Sequence, residues 1–168
     1  MFKKSILLLF LVVPFFAFSQ NSQVKLGYLD IQSVFMMMPE AQQLESSLKK
    51  LAEQHEAEIK KMEQEYTNKL MEYQENQAKW DDVIKKNRMD ELQNMQVRMQ
   101  NYYQSAQQSL QAKQEELQKP LQEKIIKAMN EVGNENGFLY IFETNTLLFK
   151  SDQAIDVTPL IKRKLNIQ

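Results

Sequence analysis

The side chains that most often carry chemistry are few here, and their spacing does not suit it. The chain has one histidine, His55, and no cysteine. A zinc site draws about three or four protein ligands, so a lone His55 is expected to fill a packed helix position. Three scattered glycines, Gly27, Gly133 and Gly137, cannot make a phosphate-cradling loop. Asp81-Asp82 and Glu115-Glu116 are carboxylate pairs. Adjacent helical residues point about 100° apart, so neither pair is a prepared acid–base dyad, and both read as solvated helix surface. The expectation is a protein that is not an enzyme and uses no cofactor and no metal.

What remains is chemistry of contact. Methionine is abundant, ten in all, and its flexible, polarizable side chain adapts to varied apolar shapes. Met62 and Met95 fall on the helical stripes described below and are expected to pack helix against helix. Met71, Met89 and Tyr102 lie off them and are better placed to meet a partner, with Tyr73 and Trp80 as further contact candidates. Lys79, Lys85, Lys86 and Arg88 form a local basic cluster. Asp81, Asp82, Asp90 and Glu91 nearly cancel it, so a solvated surface is expected there ahead of an anion site that could meet anionic lipid.

These residues need elements to hold them. The first nineteen residues read as a signal peptide: Lys3 and Lys4, then the apolar run Ser5 to Phe18, then the small residues Ala17 and Ser19 around a cleavage site after Ser19. A membrane span needs about 20 apolar residues, and this run is shorter and contains Pro14. The expectation is export, with a mature chain of Gln20 to Gln168. Without Lys3 and Lys4 it carries 19 basic and 22 acidic residues, a net charge of −3. Nucleic-acid binding would need a basic excess, so no nucleic-acid partner is expected.

Between Glu40 and Gln118, 46 of 79 residues are charged, Gln or Asn, too many to wrap inside a globular core. The same segment is rich in strong helix formers and carries an apolar stripe. Leu44, Leu48, Leu51, His55, Ile59, Met62, Tyr66, Leu70 and Tyr73 recur every three or four residues. The pattern repeats about every eleven residues, which suits a nearly straight helix. A second stripe runs through Leu92, Met95, Met99, Tyr103, Ala106, Leu110, Leu117 and Leu121, interrupted by Gln114. Between them the seam fails at Gln77, Asp81 and Arg88, with only Ile84 apolar. Either an antiparallel hairpin turns near Trp80 to Asn87, or one helix runs straight through. Periodicity alone leaves both open.

The ends are globular in character. Val24 to Leu29 reads as a strand, and Asp30 can cap a short helix ending before Pro39. Lys119 to Val132 continues the long helix through Pro120 with Leu121, Ile125, Met129 and Val132 on one face. Gly133 and Asn136-Gly137 are expected to end it. "FLYIFE", Phe138 to Glu143, reads as a strand buried on both faces. "LLFK", Leu147 to Lys150, reads as its hairpin partner across "TNT". Thr158 is expected to cap a last helix with Pro159 at its first position. Three strands leave edges and apolar surface uncovered. Association of several copies into a closed barrel would cover both, with Leu26, Tyr28, Phe138, Tyr140, Phe142 and Leu148 as the body contacts.

In this order of elements the chain resembles the Skp/OmpH family of periplasmic chaperones. The resemblance rests on "VKLGYLDIQSVFMMMPEA", on Pro120, Ile125, Ala128 and Glu135-Asn136-Gly137, on "FLYIFE" and on "DVTPLIKRKL". It implies an α+β, mostly α protein: a homotrimer with a small β-barrel body and long antiparallel helical-hairpin arms. Residues 20–39 and 119–168 would form the body and 40–118 the arm. It also implies a periplasmic holdase that binds unfolded outer-membrane proteins between its arms without ATP. Well-studied members are basic and this mature chain is mildly acidic, which shifts weight from charge to adaptable apolar contact. A structural spacer or adaptor of the envelope, and a dedicated partner of one outer-membrane assembly machine, are the alternative expectations.

Overall fold

A computed structural model describes residues 24–167. The expected signal peptide and its cleavage site lie outside the described residues. The described residues open with strand β1 (Lys25–Leu29) and a short helix α1 (Ile31–Met37). Asp30 caps α1 as its sequence suggests, its Oδ1 accepting from the Ser33 N–H at 2.8 Å. Met38 is extended (φ −71°, ψ 130°) because Pro39 follows it. Pro39 then opens α2 (Pro39–Asn76).

The long middle is a hairpin. Helix α2 ends at Asn76, and α3 (Asp82–Asn136) starts after a short turn. The turn therefore lies a few residues before the expected Trp80 to Asn87. Asp81 decides this. Its backbone is extended and its Oδ1 accepts from the Ile84 N–H at 2.8 Å, so it is a helix cap rather than solvated helix surface. The 38 residues of α2 and 55 of α3 correspond to about 57 and 83 Å of helix at 1.5 Å per residue. The surplus length of α3 runs past the arm and through Pro120 into the body. Gly133 does not stop it. Gly137 does, in the left-handed conformation (φ 67°, ψ 37°) with its N–H directed at the carbonyls of Gly133 and Asn134.

The remaining elements are β2 (Phe138–Glu143), a 3-10 turn over Thr144–Thr146, β3 (Ile155–Asp156) and α4 (Thr158–Lys164). The sheet order is β2-β1-β3 and both pairings are parallel. This corrects the expected hairpin: Leu147–Lys150 is not a strand. "TNT" closes into a 3-10 turn rather than a tight β-turn, with Leu147 N–H bonding to Thr144 O at 3.2 Å. The second edge of β1 is taken by Ile155–Asp156 instead. The cap of α4 also differs. Thr158 is the first helical residue, and Asp156 Oδ1 accepts its N–H at 2.9 Å. The Thr158 hydroxyl is thereby free to accept from Asp30 N–H at 3.1 Å, tying the two ends of the chain together.

Among the described residues, all the tightly packed apolar side chains but two belong to the body. Leu29, Val34, Met38, Leu121, Ile125, Ala128, Val132, Val157, Ile161 and Ile167 form one cluster, to which Phe138 and Ile141 attach. Each fully buried Ile, Leu or Val there is worth about 1.5–3 kcal/mol. Gly27 permits this packing, since a Cβ on it would meet Val157 Cγ1 at 3.0 Å and the Phe138 ring at 3.1 Å. Helix α2 has no buried residue, and the arm part of α3 buries only Leu92 and Ala106. The arm is a two-layer hairpin with a seam and no core.

Candidate functional site

Two surfaces remain after the fold is accounted for: the flanks of the arm and the outer face of the sheet. The arm is held by cross-helix pairs of mixed polarity. Near the body Lys124 bonds to Glu40 at 2.5 Å, and the bonded cation holds the Glu40 carboxyl below its usual range. Next, Leu44, Leu48 and Ala52 face Leu110 across an open, largely apolar groove of about 700 Å³. His55 is packed in the seam as expected, its Nδ1 3.0 Å from the hydroxyl of Tyr102 and its ring edge-on to the tyrosine. Its Nε2 is buried without a hydrogen-bond partner among the described residues. Further out, Tyr103 donates to Glu63 at 3.1 Å, and that carboxylate pushes the Tyr103 hydroxyl pKa up. Gln96 donates to the Tyr66 hydroxyl at 2.7 Å. Lys69 and Arg88 both bond to Glu91, at 2.5 and 3.0 Å, and hold its carboxyl low.

The candidate contact residues fall into two groups. Met71 and Met89 are about half exposed, 55% and 50%, and leave the seam. Tyr102 does not, because its hydroxyl is engaged by His55 on the facing helix. Tyr73 and Trp80 are half-buried and stack edge to face at 6.0 Å, closing the end of the hairpin, with Arg88 5.8 Å over the Trp80 ring. Two of the four residues of the basic cluster are paired. Arg88 pairs with Glu91, Lys85 pairs with Asp82 at 3.4 Å, and Lys79 and Lys86 are exposed. Val83, Ile84 and Val97, not expected as contacts, are also exposed apolar residues on the same arm. Their signal is visible in the sequence: Val83 and Val97 lie off the stripes, and Ile84 is the one apolar residue where the seam fails.

On the body, parallel register places Leu26 beside Tyr140 and Tyr28 beside Phe142 on one sheet face. Among the described residues no helix covers that face, so Leu26, Tyr140 and Phe142 stay exposed and the rings of Tyr140 and Phe142 lie 5.9 Å apart. The expectation that "FLYIFE" is buried on both faces is corrected accordingly: within the protomer only Phe138 and Ile141 turn to the core. Phe138 is thus a residue of the protomer's own core and not of the outer face. Lys150 Nζ sits 3.8 Å over the Tyr28 ring, and beside it Leu148 is fully exposed.

Among the described residues, no group of three His, Cys, Asp or Glu side chains could hold a metal, and no helix is long and apolar enough to cross a membrane. A small body bearing a coreless, amphipathic hairpin defines a protein of contact, with surfaces for partners. The comparisons agree with that class. The family model described as "Outer membrane protein (OmpH-like)" matches residues 25–165. A crystal structure of a candidate outer membrane chaperone (OmpH-like) from Caulobacter crescentus CB15 superposes with a TM-score of 0.74. It is 11% identical and covers 85% of this chain and 84% of its own. No curated protein matches in sequence. The chain belongs to the OmpH-like (Skp) family.

Proposed function

We propose that the protein is a periplasmic, ATP-independent holdase that works as a homotrimer. Three bodies join through the outer faces of their sheets into a barrel, and three arms enclose an unfolded outer-membrane protein. The observation that carries this reading is the coreless arm with Met71 and Met89 outside its seam. An arm built for spacing would gain from burying its apolar residues, whereas this one leaves adaptable side chains in solvent. The grip is apolar and multiple. Burial of a methionine is worth about 1.5–3 kcal/mol when complete, and repeated weak contacts give useful affinity while the client stays mobile. Charge plays the smaller part, since Lys85 and Arg88 are already paired on their own arm. The uncovered Leu26, Tyr140 and Phe142 support association through the body.

The test is capture. An outer-membrane barrel unfolded in urea is diluted into buffer with the purified mature chain and run on a sizing column. Co-elution of client with three protomers supports the reading. A client that precipitates while the protein elutes unchanged removes it and favours the envelope spacer. Binding of one folded complex and of no unfolded barrel favours the dedicated assembly partner.

A further inference from the structure

We infer that Met71 and Met89 form a reversible oxidation site, and that converting their thioethers to sulfoxides releases the grip of the arm while leaving its fold intact. The inference rests on the holding function proposed above and adds a control to it.

Three observations carry it. The first is position. Lys69 and Glu91 bond across the hairpin and fix its register at that height. Met71 lies two residues beyond Lys69 toward the turn, and Met89 lies two residues beyond Glu91 toward the turn. In antiparallel helices these steps match, so the two methionines stand at one height, about 3 Å past the ion pair at 1.5 Å per residue. The same step turns about 200° around a helix. Both side chains therefore face the flank opposite the ion pair, one from each helix, and both are exposed.

The second is selectivity. The chain has no cysteine to react with an oxidant, so its sulfur chemistry falls to methionine. Among the described residues, Met38 is buried in the body core and Met129 packs against that core. Met62, Met95 and Met99 are half-buried and line one narrow space in the seam. The exposed methionines are Met71 and Met89 on the arm and Met36 and Met37 on α1. An oxidant in solution meets these sulfurs first, and Met71 and Met89 are the ones on the holding surface.

The third is consequence. With hydrogen peroxide, the sulfur lone pair attacks one peroxide oxygen. The O–O bond breaks, an S–O bond forms, and water leaves after proton transfer; sulfur is oxidised and the peroxide reduced. The flexible apolar side chain becomes a polar one. Its new oxygen loses water when an apolar client side chain covers it, so a contact that stabilised the complex now costs free energy. Neither sulfur belongs to the core or the seam, so the hairpin itself loses no packing. Methionine sulfoxide reductases, with a dithiol as reductant, return the oxygen as water. The exposure that makes these side chains an adaptable grip also makes the grip switchable.

The test treats the purified protein with graded hydrogen peroxide. Peptide mass spectrometry reads sulfoxide at each methionine, circular dichroism reads helix content, and light scattering reads aggregation of an outer-membrane barrel diluted from urea. Met71 and Met89 should oxidise ahead of Met62, Met95 and Met99, with helix content unchanged. Half-suppression of aggregation should then need about tenfold more protein, and sulfoxide reductases with a dithiol should restore it. Met36→Leu/Met37→Leu should lose holding on treatment as the wild type does. Met71→Leu/Met89→Leu, compared with itself before and after treatment, should show no change, since leucine keeps the apolar volume and offers no sulfur. Complete sulfoxide at Met71 and Met89 of Met36→Leu/Met37→Leu with holding unchanged overturns the inference. So does an equal loss of holding in treated Met71→Leu/Met89→Leu, or a loss of helix content in step with the loss of holding. Each of these leaves the holding function standing. Untreated wild-type protein that suppresses no aggregation overturns the holding function and the switch together.

Discussion

Gln96 donates a hydrogen bond to the hydroxyl of Tyr66 at 2.7 Å, across 30 residues of sequence. A single long helix would hold these residues about 45 Å apart at 1.5 Å per residue. Their contact fixes the arm as an antiparallel hairpin and sets its register. Glu65 and Arg98 line one space with Met62, Met95 and Met99 in the same register. Spin labels at Glu65 and Arg98 should therefore read as close neighbours. A separation near 50 Å, the length of 33 helical residues, would contradict the hairpin.

The body, not the arm, should hold the thermodynamic stability. Ile161 is fully buried, whereas no residue of α2 is. Ile161→Ala should cost about 2–5 kcal/mol. Ile59→Ala, in the half-buried seam, should cost well under half of that. Denaturant titration of each variant checks the contrast, and equal costs would mean that the arm has a core of its own.

The hairpin should loosen in acid. Glu40 and Glu91 are held below the ordinary glutamate value of 4.5, chiefly by hydrogen bonds from Lys124 and from Lys69. A carboxylate with a depressed pKa stabilises the folded state above 4.5, and that contribution disappears as pH falls through its depressed range. Lys164 is raised above 10.5 by Glu135 and Glu131. Its contribution is complete below 10.5 and is lost as pH rises through the raised value. The largely exposed Glu40 and Glu91 pairs are each worth at most about 1 kcal/mol. Melting temperature should be flat near neutrality and fall below pH 4.5, less steeply in Lys69→Ala. An acid response unchanged in Lys69→Ala would place its cause elsewhere.

Much of this architecture could be read from the chain because its causes are local. The eleven-residue stripes, Asp30 before α1, Pro39 after Met38 and Gly137 after α3 each act within a few residues. The choice between hairpin and straight helix was open in the stripes because both preserve the same spacing. Asp81 decides it, and it reads as ordinary helix surface until its capping role is seen. The third strand was misplaced for a non-local reason. "LLFK" has strand chemistry and follows β2, but the 3-10 turn at Thr144–Thr146 does not return it to the β2 edge, and the third strand is Ile155–Asp156 on β1. Tyr102 lies off the stripe and reads as a partner contact, whereas the hydrogen bond that draws it to His55 spans 47 residues.

Tyr102 should accordingly affect the arm before it affects any client. Tyr102→Phe keeps the ring and removes the hydroxyl that meets His55. It should lower hairpin stability by about 0.5–1.5 kcal/mol while leaving client capture intact once the protein is folded. Loss of capture at unchanged stability would return Tyr102 to the contact surface.

The central claim is that exposed apolar side chains on the arms hold unfolded outer-membrane proteins. Its most direct measurement is the light scattered by unrelated outer-membrane barrels diluted from urea, with and without the protein, at low and moderate salt. The account predicts suppressed scattering for each barrel, retained at moderate salt because screening acts mainly on exposed charges. It also predicts weakened suppression by Met71→Gln/Met89→Gln with the body still folded. Suppression that vanishes with salt while the double variant holds clients normally would contradict it, and would transfer the grip to Lys79, Lys85, Lys86 and Arg88.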